Sequence, residues 1–281
     1  MKDLSATSTG DAAALAQDFA TNGYVLLRRS VDAASVQRLA QRVTAILEEQ
    51  DLLRSGADAV ETFRATRTQF YSAVQRLEEL HALAHDQSLQ RVVRVLVGDD
   101  AFVHPQKLVR AFLPGVPEFT TPPHQDFPYI QGTLRTITTW LPLLPCRGAG
   151  GALRVLVGSQ HDGLLPLGPS PTVAGSQVDV ADDDPRWATA EFEPGDVLVF
   201  QSTTVHSATP NTSGRVRMSV DFRHQPASEP VAVRALKPSG YPGVPDWPEL
   251  LGDVAWPSER WLAVPAGLRV VNGAAEPRED G

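Results

Sequence analysis

In the first hundred residues, hydrophobic positions recur at the spacing of amphipathic helices. Asn22 and Gly23 are typical of a helix C-terminus, and either Ser30 or Asp32 could cap the helix that follows. Four helical stretches and one short strand are predicted on this basis: helices at 11–21, 36–47, 72–85 and 88–97, and a strand at 24–27. The first part of the chain, about 11–98, is therefore expected to be a helical scaffold.

From Phe102 onwards the pattern changes to short runs rich in β-branched and aromatic residues, bounded by glycine or proline. Five strands are predicted: 107–113, 136–143, 152–157, 196–200 and 215–223. Regularly punctuated strands of this kind predict an antiparallel sandwich or barrel, here over about 102–226. We expect a single domain over residues 1–281, mostly β with flanking α.

Two segments contain too much proline and glycine for long regular elements. Residues 158–186 form a long segment with an acidic run, and a loop of that length in a compact domain is usually functional or mobile. Residues 227–281 are proline-rich and contain three tryptophans. We expect this C-terminal segment to be an irregular tail packed on the surface, with a lid over a site as the alternative.

The overall composition excludes several classes of protein. The 281 residues include 42% hydrophobic and 21% charged side chains, which is ordinary for a soluble globular chain. The net charge of −8 and the absence of a basic stripe argue against nucleic acid as a partner. No run is long and apolar enough for a membrane span, and a secretion signal is not evident, so a cytoplasmic location is expected. The one cysteine, Cys146, excludes a disulfide scaffold. The oligomeric state is left open.

One group of residues in the β region has the composition of a metal site. If residues 124–126 are extended, His124 and Asp126 point to the same face of the strand. A further histidine such as His206 would complete two imidazoles and one carboxylate, a ligand set that suits non-haem Fe(II). A lone His206 would otherwise be interpreted as a hydrogen-bonded core residue. Each motif is weak alone, and their order along the chain makes them informative.

Other histidines are less promising as ligands. His81 and His85 have a spacing that can bind zinc on a helix, but Ala82 stands where the base glutamate of that motif belongs. His104 precedes a proline and is expected to be structural. His161 lies in a predicted loop.

The predicted strand 215–223 alternates strictly between apolar and polar side chains. Its polar positions include Arg217 and Ser219, two residues apart and therefore on the same face. Such alternation most often means that the polar face lies in solvent. The alternative is a polar face inside a ligand-binding barrel.

Several segments, in this order, resemble the phytanoyl-CoA dioxygenase family of Fe(II)/2-oxoglutarate-dependent oxygenases. The similar segments are Asn22-Gly-Tyr-Val-Leu-Leu27, Thr121-Pro-Pro-His-Gln-Asp126, Trp140-Leu-Pro-Leu143, Gly158-Ser-Gln-His161, Glu193-Pro-Gly-Asp-Val-Leu-Val-Phe200 with His206, and Arg217-Met-Ser-Val-Asp-Phe-Arg223. The resemblance spans about residues 15–226 and is greatest to bacterial natural-product hydroxylases. It implies a double-stranded β-helix, the jelly-roll core of cupin-like proteins.

The resemblance also implies roles for individual residues. His124, Asp126 and His206 would bind Fe(II), and Arg217 would pair with the distal carboxylate of the co-substrate 2-oxoglutarate, since a guanidinium can form two parallel hydrogen bonds with a carboxylate. Ser219 is expected to add a hydroxyl contact. Trp140 would line the same pocket, although packing in the core is an equally good interpretation. O2 would be the second co-substrate.

The implied activity is hydroxylation, or another oxidation, of an unactivated C–H in a small organic molecule, in secondary metabolism. Asp126 fills the position that is a small residue in related halogenases, which favours hydroxylation over chloride transfer. Arg110 would suit a substrate carboxylate if it faces the cavity, and would otherwise form a structural ion pair. Two alternatives remain: a cupin-like metal-dependent isomerase or dioxygenase that does not use 2-oxoglutarate, and a catalytically silent ligand-binding barrel.

Overall fold

A computed structural model describes residues 2–3, 10–53, 57–116, 119–172, 175–241 and 243–273. Five helices form most of its N-terminal part: α1 (Ala12–Asn22), α2 (Ala33–Glu49), α3 (Ala57–Gln75), α4 (Glu78–Ala84) and α5 (Gln87–Val97). None of the helices in these ranges has the length and apolar character needed to cross a membrane.

The ends of the helices follow from local chemistry. The Asp32 carboxylate accepts hydrogen bonds from the backbone of Ala34 and Ser35 and so caps α2, as expected from one of the two candidates. Gly23 ends α1 in the left-handed conformation with φ of 78°. The predicted helix over 72–85 is wrong as a single element, because the chain turns extended at Leu77 between α3 and α4.

Thirteen strands are described, and most belong to two facing sheets: β1 (Lys2–Asp3), β2 (Tyr24–Leu27), β3 (Ala101–Phe112), β4 (Ile137–Pro142), β5 (Leu153–Leu156), β6 (Leu167–Pro169), β7 (Ser176–Val178), β8 (Trp187–Thr189), β9 (Val197–Gln201), β10 (His206–Ala208), β11 (Arg217–Pro226), β12 (Val231–Ala232) and β13 (Val270–Val271). The larger sheet has the order β2-β9-β4-β11-β3, and every pair in it is antiparallel. The smaller sheet has the order β1-β8-β5-β10. All five predicted strands are present.

The two faces of the larger sheet have different surroundings, and β11 shows this best. One set of its residues joins the hydrophobic core under the helices: Met218, Val220 and Phe222. The alternate set points to the interior between the sheets: Arg217, Ser219, Asp221 and Arg223. Every residue of β11 is buried, so a solvent-facing polar side is excluded for this strand.

The segment 158–186 is more regular than a long loop. It begins with a 3-10 helix over Ser159–Asp162 and continues into the hairpin of β6 and β7. The side chain of Gln160, in this 3-10 helix, donates to the backbone carbonyls of Ala20 and Thr21. These hydrogen bonds connect the start of the segment to the end of α1.

The C-terminal segment contains a 3-10 helix over Val233–Leu236 and the short helices α7 (Trp247–Leu251) and α8 (Ser258–Leu262). Trp247 and Trp256 pack against the ring of His81 on α4. This part agrees with a tail packed on the surface. Residues 274–281 of the predicted tail lie outside the described residues.

A buried amine lies within the layer between the larger sheet and the helices. Lys107 on β3 is 1% exposed, and its Nζ has no hydrogen-bond partner. Burial lowers the pKa of Lys107 to about 7. In the unfolded chain the same amine has a pKa near ~10.4. Between these two values the unfolded state binds more protons than the folded state, so stability rises with pH across this window.

We expect Lys107→Met to stabilise the protein, because it replaces an unpartnered buried amine by an apolar side chain of similar length. The free energy of unfolding at pH 7 should rise by about 1–4 kcal/mol. The gain should be smaller at pH 10. Urea unfolding at both pH values measures this, with the exposed Lys237→Met as the matched control. Equal effects of both substitutions would contradict the expectation.

Candidate metal centre

The two histidines expected as metal ligands lie on neighbouring backbone segments. The amide of His124 donates to the carbonyl of His206 at 3.0 Å, and the reverse hydrogen bond measures 2.9 Å. The pair forms an antiparallel bridge that extends the smaller sheet beyond β10. This pairing brings the two imidazole rings to 4.1 Å between centroids.

The Asp126 carboxylate also lies beside the two imidazoles, but its backbone is not in the expected strand conformation. The residue is in the helical conformation, with φ of −71°, and begins the short helix α6 (Phe127–Ile130), so residues 124–126 are not a continuous strand. Its Oδ1 nevertheless lies 3.8 Å from Nε2 of His124 and 3.9 Å from Nε2 of His206. One ligand atom from each of the three residues lies within 4.8 Å of the others.

Backbone carbonyls orient both imidazole rings. Nδ1 of His124 lies 2.9 Å from the Pro122 carbonyl, and Nδ1 of His206 lies 3.0 Å from the Thr204 carbonyl. A carbonyl can only accept, so each Nδ1 carries the proton and each Nε2 keeps its lone pair. Both lone pairs face the Asp126 carboxylate.

The protonation states also suit metal binding. Burial, together with the other imidazole, lowers the pKa of His124 to about 3, and burial also lowers the pKa of His206. Burial alone would raise the pKa of Asp126, but Arg223 and the two imidazoles hold that pKa well below its usual value. Two neutral imidazoles and one carboxylate are the forms that bind metals.

Asp126 is fixed by two residues that the sequence patterns did not single out. The Thr138 hydroxyl donates to Oδ2 at 2.5 Å, and the Arg223 guanidinium lies 3.3 Å from both carboxylate oxygens. Arg223 also lies 3.5 Å from Asp221. Arg223 lies on the same face of β11 as Arg217, so the alternation of side chains along this strand could have identified it.

A small inner cavity adjoins the two histidines. Arg217 and Trp140, two of the three residues expected to bind 2-oxoglutarate, line it. The Arg217 guanidinium is 3% exposed, lies 4.4 Å from the Phe112 ring centroid, and donates to Ser219 Oγ at 3.1 Å. Nε of Arg217 and Nε1 of Trp140 are buried without a partner. Two unpartnered donors beside the candidate metal ligands fit a bound carboxylate. Trp140 also packs edge-on against Phe192, which agrees with the interpretation of this residue as part of the core.

Arg110 faces the interior and lines both the inner cavity and a larger outer one. Its Nε donates to Oδ2 of Asp221 at 2.7 Å. The ion pair and the cavity-facing position, which the sequence presented as alternatives, therefore coexist.

Three other histidines agree with the structural interpretation. His81 is fully buried, with Nε2 at 2.8 Å from the Gln75 carbonyl, and Nε2 of His85 lies 3.1 Å from the Trp261 carbonyl. His104 is buried against the Gln225 side chain. Among the described residues, the only group able to hold a metal is the one formed by His124 and its two partners.

Comparison with known proteins agrees with this geometry. The sequence model described as Phytanoyl-CoA dioxygenase (PhyH) matches residues 19–219. The chain belongs to the phytanoyl-CoA dioxygenase family. The predicted class, an Fe(II)- and 2-oxoglutarate-dependent oxygenase that uses O2, is therefore confirmed, and the alternatives without 2-oxoglutarate or without catalysis are disfavoured.

Curated relatives of this dioxygenase include two 1-deoxypentalenic acid 11-beta-hydroxylases. The one from Streptomyces exfoliatus is 29% identical over 267 residues, covering 87% of this chain and 89% of the relative. The one from Streptomyces arenae is 30% identical over 268 residues, with the same coverage. Bacterial natural-product hydroxylases are thus among its relatives, as predicted.

Solved structures confirm the cupin-like fold of the dioxygenase. The apo form of the non-heme monooxygenase ThoJ has a TM-score of 0.58 at 19% identity, covering 76% of this chain and 78% of ThoJ. The non-heme alpha ketoglutarate dependent carbocyclase SnoK has a TM-score of 0.57 at 18% identity, covering 85% of this chain and 92% of SnoK. The predicted jelly-roll core with helical flanks is therefore correct.

Proposed function

We propose that this enzyme holds Fe(II) through His124, Asp126 and His206 and hydroxylates a small organic acid. The observation that carries the proposal is the convergence of two imidazole Nε2 atoms and one carboxylate oxygen within 4.8 Å. The inner cavity beside them, with unpartnered donors on Arg217 and Trp140, supports the binding of 2-oxoglutarate there.

Each residue has a stated task in this proposal. The Pro122 and Thr204 carbonyls hold the two imidazoles in the ligating tautomer, and Thr138 with Arg223 orients the third ligand. Iron with 2-oxoglutarate supplies the activation of O2 that hydroxylation of an unactivated C–H requires. Since Asp126 occupies the third protein position, the proposed reaction is hydroxylation and not halogenation.

Arg217 would receive the distal carboxylate of 2-oxoglutarate, with Ser219 orienting the guanidinium from the same face of β11. The rings of Phe112 and Trp140, which lie against Arg217, would exclude water from this ion pair. Exclusion of water strengthens the attraction between the two charges.

The relatives support the class of substrate. Two of them are 1-deoxypentalenic acid hydroxylases, so we propose a carboxylic acid as the substrate of this enzyme. We also propose that residues 1–281 act as one oxygenase domain in the cytoplasm. One hydrophobic cluster that joins the helices to the larger sheet supports the single domain.

An anaerobic titration tests the proposed function. Adding Fe(II) and then 2-oxoglutarate should produce the weak visible charge-transfer band of the chelate, and should raise the thermal midpoint of unfolding because both ligands bind the native state. Stabilisation by Fe(II) without any band on adding 2-oxoglutarate would instead favour a metal-binding barrel that does not use this co-substrate.

A further inference from the structure

The outer cavity, of about 340 Å³, takes part of its wall from the C-terminal segment. Arg234, from the 3-10 helix after β12, and residues 238–241 line it together with His124 and Asp126. This wall lies beyond residues 19–219, the part of the chain that the family model matches. The volume is that of a small-molecule site.

The wall is anchored to the helical scaffold. The ring of Tyr241 stacks on Tyr71 of α3, with centroids 4.3 Å apart and planes 14° from parallel. The guanidinium carbon of Arg67 lies 5.6 Å from the centroid of the Tyr241 ring. These contacts hold the segment next to the cavity, so this part of the C-terminal segment is more than a tail packed on the surface.

The charges around the outer cavity do not balance. Of the three arginines that line it, Arg110 is paired with Asp221, and Arg223 lies against Asp126 and Asp221. Arg234 has no carboxylate within ion-pair distance among the described residues. The Arg234 guanidinium lies next to Gly240, in the segment that lines the cavity. A Cβ added to this glycine would be 3.5 Å from Nη2 of Arg234.

Much of the remaining wall is suited to an apolar molecule. Three tyrosine rings, one isoleucine, one leucine and two prolines line the cavity: Tyr71, Tyr129, Tyr241, Ile130, Leu108, Pro122 and Pro238. The other polar residues of the lining are Gln106, Lys107, Thr121, Ser176 and Ser239. An apolar body with a single anionic group matches a wall of this kind with one unpaired arginine.

We propose that Arg234 binds the carboxylate of an apolar monocarboxylic acid in the outer cavity, and thereby selects the substrate of this oxygenase. This inference rests on the proposed function and assigns its specificity to a residue outside the segment that the family model matches. Arg110, the residue that the sequence suggested for this task, already has its charge compensated by Asp221. Arg234 is a binding residue here and takes no part in the chemical step.

The test measures affinity without turnover. Protein loaded with Fe(II) and 2-oxoglutarate under argon is titrated by calorimetry with two pairs of probes: 1-deoxypentalenic acid and its methyl ester, and adamantane-1-carboxylate and its primary amide. The variants are Arg234→Gln, Arg234→Lys and, as the matched control, Arg269→Gln, another exposed arginine of the C-terminal segment. The charge-transfer band is recorded for each protein before the titration.

We expect the wild-type chain to prefer the acid in at least one pair. Arg234→Gln should weaken acid binding by about ten- to hundredfold and change the neutral probe by less than about twofold, since only the charged hydrogen bonds are lost. Arg234→Lys should restore part of the preference, and Arg269→Gln should behave as wild type.

Two results would overturn the inference: equal binding of acid and neutral probe by the wild-type chain in both pairs, or an acid preference that survives in Arg234→Gln. In either case an intact charge-transfer band would leave the proposed oxygenase function standing. Loss of the band in the wild-type protein would overturn the proposed function itself.

Discussion

Replacing Asp126 by alanine is expected to abolish the conversion of 2-oxoglutarate to succinate, with a loss on the order of a thousandfold or more. The substitution removes the only carboxylate from the group of three candidate ligands, and metal-ion catalysis supplies several kcal/mol to the reactions that depend on it. Apparent affinity for Fe(II) should fall in parallel. Succinate release and Fe(II)-dependent thermal stabilisation measure the two effects.

The controls separate the loss of a ligand from the loss of the fold. Asp126→Ala also leaves Arg223 without one of its two carboxylate partners, so circular dichroism must show that the variant is folded. Asp126→Glu keeps the charge and should retain some Fe(II) binding. Asp162→Ala, at a half-exposed ion pair with Arg186, is the matched control and should turn over normally. Decarboxylation by Asp126→Ala near the wild-type rate would contradict the metal assignment.

The second large effect is expected at Arg217. Arg217→Ala should raise the concentration of 2-oxoglutarate needed for half-maximal turnover by about a hundredfold, because a buried pair of charge-assisted hydrogen bonds is lost. The requirement for Fe(II) should change by less than about threefold, since Arg217 contacts none of the three candidate metal ligands in the hydrogen bonds described. Titrations of both against succinate release give the comparison.

Two variants sharpen this expectation. Arg217→Lys keeps the charge but not the planar fork, and should lie between alanine and wild type in its 2-oxoglutarate requirement. Arg215→Ala removes an exposed arginine two residues earlier and should have no effect. Equal changes in the Fe(II) and 2-oxoglutarate requirements of Arg217→Ala would show that this guanidinium is not the partner of the co-substrate.

Local patterns predicted most of the regular elements correctly. The hydrophobic repeat through Val36 and Leu47 became the buried face of α2, since a stripe at helical spacing has to be covered by the core. Helix α3 was foreseen only in part. Its apolar positions in the early turns are sparse, and contacts such as the one between Phe63 and Phe70 support it within the folded chain.

The candidate site was harder to derive from local rules. His124 and Asp126 were expected to lie together because side chains two residues apart share one face of a strand. They do lie together, but the cause is a helical turn at Asp126, which directs its carboxylate towards the His124 ring. Thr138 lies outside every segment that resembles the family, and Asp221 and Arg223 lie within one such segment but received no role from it. Their importance depends on β4 and β11 lying side by side in the larger sheet, which no local pattern specifies.

The order of motifs along the chain was sufficient to identify the family, through their resemblance to its members. It also predicted the ligand types and the co-substrate strand, because metal and carboxylate chemistry limits which side chains can serve. The folded chain alone revealed which charges remain unpaired. Arg110, Arg223 and Arg234 cannot be distinguished by residue type, yet two of them are neutralised by carboxylates that lie far away in the sequence. Pairing of charges depends on distances in space, and these arise only when the sheets and the C-terminal segment pack together.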